Sequence, residues 1–250
     1  MIATARIAPE ETEESRIRTD LAACYRLLHK YAMTDLIFTH VSAKLPGTDG
    51  HFLLNPYGLM FNEITASSLV ELDAHGTVVG DSPWGINWAG YVIRSAVLAA
   101  RPDINCVLHT HTRAGVAISA LDCGLLSISQ HAMEFHNRMA YHDYEGIADD
   151  LDECARLQRN LGSHNALILR NHGLLTAATS VSRAFLRMFN LEQACKIQLD
   201  AQATGGPLSQ PSEEVCEHAA RQFENRTENQ PMAWTAMIRA LDNDNSSFRD

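Results

Sequence analysis

The chain has 250 residues, 46% of them hydrophobic, and a net charge of −10 at pH 7, enough to bury a sizeable core in one or two domains. The acidic balance leaves no basic stripe to neutralise phosphates, which argues against a nucleic-acid surface, and no apolar run approaches the length of a membrane span. Met1 to Ser15 is acidic rather than signal-like, and the six scattered cysteines form no Cys-x-x-Cys, so a reduced, cytoplasmic protein is expected.

In chain order, a flexible arm at 1–14 leads into a helix over 12–31, where Ile17, Leu21, Cys24, Leu27 and Leu28 recur at helical spacing. Strands are expected at 38–45 and 51–55, joined by the turn at 46–50, and a hairpin pairs 67–73 with 77–80. A helix over 87–100 stops at Arg101-Pro102. A strand follows near 105–111, then a helix over 112–120 and a strand at 125–129. The stretch 131–144 shows little periodicity. A helix over 146–161 ends at Gly162, which suits a left-handed cap. Strands at 166–170 and 174–177 precede a long helix capped by Ser180 and running to about 203. An apolar stretch at 232–241 suits a short helix in the tail. No composition break or repeat interrupts residues 12–206, so one domain over 15–225 is expected, with a tail at 226–250. Short turns between several strands favour a mainly antiparallel sheet with helices on its faces over a nucleotide-binding parallel sheet. No Gly-rich phosphate loop is present.

Three histidines carry the chemistry. His109 and His111 follow the apolar run Asn105-Cys106-Val107-Leu108, and His172 follows Ala166-Leu167-Ile168-Leu169 by three residues. On a strand, residues i and i+2 share a face, so His109 and His111 present parallel imidazoles. On a helix they would diverge by roughly 200°. A neighbouring strand can bring His172 to the same spot, and Gly173 lets the backbone turn away without a side chain. Three neutral imidazoles suit a divalent ion with an open position: zinc first, with manganese, iron or cobalt as alternatives.

Several segments together resemble the class II aldolase/adducin family over about 15–205. They are Thr34-Asp35-Leu36-Ile37 to Val41-Ser42, Leu54-Asn55-Pro56-Tyr57-Gly58-Leu59, and Ala100-Arg101-Pro102-Asp103 into His109-Thr110-His111. Gln130-His131, Ala140 to Gly146, Arg170-Asn171-His172-Gly173-Leu174-Leu175 and the helix after Ser180 continue the match. The resemblance implies an α/β fold, three-layer α/β/α around a mainly antiparallel sheet. It also implies a homotetramer with sites at subunit boundaries and a divalent metal held by His109, His111 and His172. In the sugar-phosphate aldolases of the family, that metal stabilises the enediolate left when a carbon–carbon bond breaks.

The sequence departs from those aldolases at two places. Their Ser-Ser-Glu run, used for phosphate and proton transfer, reads Trp88-Ala89-Gly90 here, and their phosphate-holding Gly-Asn pair reads Thr39-His40. Proton transfer therefore falls to His131 or Glu134, which lie where some relatives place a tyrosine that reaches the active site. Substrate contacts are expected from His40, Asn55, Tyr57 and Gly58, while Tyr141, His142 and Tyr144 read as a structural corner. The leading expectation is a metal-dependent lyase, by aldol cleavage or decarboxylation, acting on a small unphosphorylated hydroxy- or oxo-acid. A non-haem iron oxygenase using the same histidines and a non-catalytic module like the adducin head are the alternatives.

Overall fold

The computed structural model describes residues 12–146, 151–225, 230–244 and 247–250. Most of the expected arm, residues 1–11, lies outside the described residues, as do 147–150. The arm's last two positions, Glu13 and Glu14, instead open a helix, with Thr12 accepting from the Ser15 N–H as its cap. Among the described residues, the order is α1 (Glu13–Lys30), β1 (His40–Lys44), β2 (Phe52–Leu54), β3 (Val70–Leu72), α2 (Trp88–Ala100), β4 (Cys106–Thr110) and α3 (Arg113–Ser119). Then come α4 (Gln130–Met133), β5 (Met139–His142), α5 (Leu151–Leu161), β6 (Ala166–Leu169), β7 (Gly173–Ala178), α6 (Val181–Ala203), α7 (Glu213–Asn225) and α8 (Gln230–Asn243).

The strands form one seven-stranded sheet in the order β3-β2-β1-β4-β7-β6-β5. Every pairing is antiparallel except β5 with β6. Strand alternation sorts the side chains to two faces. On one face Val41, Ala43, Cys106, Leu108, Ile168 and Leu174 join the buried sides of α1 and α6. On the other, Val107, Leu167, Leu169, Leu175 and Ala177 meet Ile93, Ala96 and Val97 of α2 and Leu157 and Leu161 of α5. The result is the mixed α/β, three-layer arrangement expected from the sequence. His40 and His109 stand opposite one another in the β1–β4 register and fall on the α2 face.

Three local expectations are corrected. No strand forms at 125–129, because the Leu125 N–H donates to the Tyr141 hydroxyl and the Leu126 N–H to Gln198 Oε1, leaving no ladder to build. Within the aperiodic stretch, β5 pairs in parallel with β6, a contact that four residues cannot announce by themselves. Helix α7 was not expected at all; its surface is polar and only Cys216 and Ala220 are buried.

The tail proves to be part of the core. Helix α8 packs on α1 and α6, with Trp234 and Leu241 buried, and Phe248 is fully buried. The Ala66 N–H donates to the Phe248 carbonyl and the Ser67 N–H to the Asp250 carbonyl, so the last residues clasp the loop before β3. Phe248→Ala should therefore cost about 3–5 kcal/mol, the range for emptying a buried phenylalanine site. Urea unfolding of the two proteins would measure it, and a loss below about 1 kcal/mol would show that the tail does not contribute to the core.

Candidate metal centre

Strand β4 delivers His109, and His111 follows just past its end, where Thr112 caps α3 through the Gly115 N–H. His172 sits in the tight connection between β6 and β7, after Asn171 in the left-handed region at φ 56°. A Cβ on Gly173 would lie 2.3 Å from the Thr110 carbonyl oxygen and 3.3 Å from both the His109 and His111 rings. Only glycine lets β7 approach closely enough to bring His172 over the pair.

The three rings converge, with centroids 4.7–4.8 Å apart. His111 Nε2 stands 2.9 Å from His109 Nε2 and 2.9 Å from His172 Nε2. The outer nitrogens fix the tautomers. His109 Nδ1 is 2.9 Å from the Leu174 carbonyl, and His111 Nδ1 is 3.0 Å from Asp35 Oδ2. A carbonyl and a carboxylate only accept, so each Nδ1 carries the hydrogen and each Nε2 keeps a bare lone pair. With both rings neutral, no proton stands between His109 and His111, and their lone pairs face each other at hydrogen-bond distance. A shared cation would turn that repulsion into coordination. Two nitrogens on a tetrahedral zinc, at about 2.0–2.1 Å each, would be about 3.3 Å apart, within a small ring rotation of what is seen.

Electrostatics keeps His109 and His172 neutral. Burial first, then the neighbouring His172, His111 and His40, holds His109 well below the usual histidine range. His172 is lowered to about 4 by burial and then His111, and His40 to about 3 by burial, His111, His172 and Arg94. Neutral imidazole is the form that ligates.

The cluster lies in a pocket of about 410 Å³ whose lining includes Phe38, Thr39, His40, Tyr57, Asn87 and Tyr144. Helix α2 closes one side with Ala89 and Gly90. A Cβ on Gly90 would be 3.0 Å from His40 Cγ, so the two departures from the aldolase pattern touch each other: His40 uses the room that Gly90 leaves. His40 Nε2 and Thr39 Oγ1 are buried without a hydrogen-bond partner among the described residues.

The sequence profile described as "Class II Aldolase and Adducin N-terminal domain" matches residues 19–199. The chain belongs to the class II aldolase and adducin family. It is similar to the crystal structure of an aldolase II superfamily protein from Pseudomonas syringae, at 48% identity and a TM-score of 0.89, covering 98% of each chain. An L-fuculose 1-phosphate aldolase from Glaciozyma antarctica is 25% identical with a TM-score of 0.84, covering 99% of this chain and 97% of that one. Rat alpha-adducin is 45% identical over 198 residues, which are 78% of this chain but 27% of the adducin.

Within this member of the family, the pocket gathers His109, His111 and His172 with His40 and Tyr57. It does not gather the other residues singled out from the sequence. Asn55 is buried beneath the sheet, where the Tyr25 hydroxyl reaches its Oδ1 at 2.9 Å. Gly58, at φ 113°, shapes the corner beside Trp84 and carries no pocket wall. His131 and Glu134 belong to the α4 segment, which packs on α6 and α7 on the other side of the sheet. Asn190 Nδ2 donates to Glu134 at 2.7 Å, and burial raises that carboxyl above its ordinary range. Neither residue reaches the histidines of its own chain.

Sequence reasoning missed Asp35, Asn87 and the placement of Tyr144. Asp35 is 76 positions from the ring it touches, so no local pattern signals it. Asn87 stands at the N-cap of α2 without capping it, and an uncommitted Asn there was the only available sign. Tyr144 was assigned to a structural corner, yet it is exposed at the pocket mouth with its ring 6.5 Å from that of His172.

Proposed function

We propose that the chain is a divalent-metal-dependent carbon–carbon lyase, acting by aldol cleavage or decarboxylation on a small unphosphorylated hydroxy- or oxo-acid. One observation carries this reading: two bare Nε2 lone pairs, with a third imidazole beside them, aimed at one point in a pocket of small-molecule size. His109, His111 and His172 would hold the ion, zinc first and manganese, iron or cobalt otherwise. A bound dication supplies a Lewis acid that lowers the energy of negative charge left on carbon.

The chain's own residues define the rest. Phe38, Tyr57 and Ile93 wall the pocket and limit water. His40 Nε2 and Thr39 Oγ1 hold unused hydrogen-bonding capacity for a substrate oxygen. The first turn of α2 faces the pocket with no acidic side chain, so its partial positive charge suits one carboxylate. Proton transfer is assigned to His131 from a neighbouring subunit. Phe38, Tyr57 and Tyr144 line the pocket and are exposed, and Leu36, Trp84 and Trp88 are exposed on the segments that carry its lining, apolar surface that supports a homotetramer with sites at subunit boundaries. No helix among the described residues is long and apolar enough to cross a membrane, which is compatible with a cytoplasmic enzyme.

Phosphate is the poorer fit. Among the described residues no lysine or arginine lines the pocket. Two missing charge-assisted hydrogen bonds weaken binding by about 3–6 kcal/mol, a hundredfold or more. Fuculose 1-phosphate and ribulose 5-phosphate should accordingly turn over slower than about 1 s⁻¹, the low end of ordinary enzyme rates. A steady-state assay giving faster turnover of either would restore the plain sugar-phosphate aldolase.

The adducin likeness allows a non-catalytic module, but an idle domain has no physical need for facing lone pairs. Elemental analysis of purified protein is the direct test. Zinc or manganese with release of carbon dioxide or an aldehyde from a hydroxy- or oxo-acid supports the lyase. Ferrous iron with oxygen uptake would replace it with an oxygenase.

A further inference from the structure

The outer nitrogens of His109 and His111 both meet acceptors, but acceptors of different kinds. Leu174 provides a backbone carbonyl to His109, and strand pairing fixes that partner whatever the side chains are. His111 lies beyond the end of β4 and has no such ladder. Its Nδ1 meets the carboxylate of Asp35 at 3.0 Å, the one carboxylate bonded to the cluster among the described residues.

We propose that Asp35 is a positioning residue for the metal centre: it holds His111 in the Nδ1–H tautomer with Nε2 turned to the ion, and so sets the affinity of the site. The inference rests on the metal reading above. Nδ1 and Nε2 lie on opposite sides of the ring. Asp35 therefore cannot ligate the same ion while this bond persists, and it acts through His111. A carboxylate behind a ligating imidazole restrains ring rotation and raises the basicity of the ligating nitrogen.

The backbone around Asp35 supports the same role independently. Leu36 has φ 49° and Thr39 has φ 68°, in the left-handed region that side chains with a Cβ avoid. The Phe38 N–H closes the turn onto the Asp35 carbonyl at 2.8 Å. Leu36 at its tip is 62% exposed, so burial of that side chain does not offset the strain. The turn sets the Asp35 carboxylate on His111 at one end and places Thr39 and His40 in the pocket at the other. Strain of this kind persists where the surrounding structure enforces it, and it gathers at functional sites. The Asp35 side chain is itself 42% exposed, and an ion pair that open contributes little to folding. Its removal should thus be felt at the site and not in the stability of the metal-free chain.

The test measures zinc affinity by competition with a chromophoric chelator in the wild type, Asp35→Ala and Asp35→Asn. Imidazole nitrogen NMR of the metal-free proteins accompanies it. Asp35→Ala should bind zinc about 10–100-fold more weakly, the usual loss for an outer partner of a ligand. Asp35→Asn, which keeps an oxygen acceptor without the charge, should fall between. In the metal-free protein His111 should be the Nδ1–H tautomer, and that preference should be lost in Asp35→Ala with the melting temperature nearly unchanged. If wild type binds zinc and Asp35→Ala matches it within twofold, the positioning role is overturned and the metal reading stands. A wild-type chain that takes up no divalent ion overturns both.

Discussion

Zinc uptake by the purified chain should saturate at one ion per chain, and His109→Ala, His111→Ala or His172→Ala should each reduce the affinity by two to three orders of magnitude. The reason lies in the tautomers. His109 and His111 are committed by Leu174 and Asp35 to bare Nε2 atoms 2.9 Å apart. Deleting either ring removes a ligand and also the repulsion that a cation relieves. Zinc sites bound by four protein ligands are worth about 10–16 kcal/mol, so one ligand carries about 2.5–4 kcal/mol. The outer partners stay in place when His172 is removed, so His172→Ala isolates the loss of one ligand. Equilibrium dialysis followed by metal analysis reads all three variants. Wild-type uptake in any of them would mean that the ion, if one binds, sits elsewhere. A uniform loss with intact far-ultraviolet circular dichroism would assign the site.

Gly173→Ala should damage the fold and the centre together, although it adds one methyl group. The new Cβ would stand 2.3 Å from a backbone oxygen, that of Thr110, which cannot swing aside as a side-chain end could. Strands β4 and β7 pair through this very region, Thr110 opposite Leu174 and His109 opposite Leu175. Relief therefore needs the end of β7 to move away from β4, carrying His172 with it. Overpacking of this kind costs about 1–3 kcal/mol, and a chain of this size loses roughly 2–4 °C of melting temperature per kcal/mol. A drop of about 6–12 °C at the upper end of that cost, with zinc affinity reduced at least tenfold, is the expected outcome. Gly90→Ala provides the comparison, because its Cβ would meet the His40 ring, a side chain that can shift. It should leave zinc affinity near wild type. If Gly173→Ala also leaves both quantities unchanged, the close approach of β7 is not what places His172.

Much of this centre was legible in the sequence because its signals are local. Alternation along an expected strand over 105–111 put His109 and His111 on one side, although β4 itself ends at Thr110, and the glycine after His172 marked a backbone that must come close. Helix α1 was readable from its apolar spacing, and α6 from its spacing and its Ser180 cap. The short parallel strand β5 and the polar α7 were not, because neither has a pattern that stands out without its packing partner. Phe248 could not be recognised as core from an acidic, Asn-rich tail; only its seat beneath the loop before β3 makes it so.

The order of residues alone is enough to place the chain as α/β, to give it the likeness to the class II aldolase and adducin family, and to put three histidines at positions able to share an ion. Period-2 and period-3.6 patterning, capping and glycine placement are properties of neighbouring residues, so they survive without coordinates. The tertiary structure decided which groups surround those histidines. It brought Asp35 to His111, Asn87 and Tyr144 to the pocket, and His40 against Gly90, and it kept Glu134 on Asn190 across the sheet. Each of these is a contact between segments far apart in the chain. Such contacts depend on strand order and on how closely two backbones approach, which no run of adjacent residues encodes.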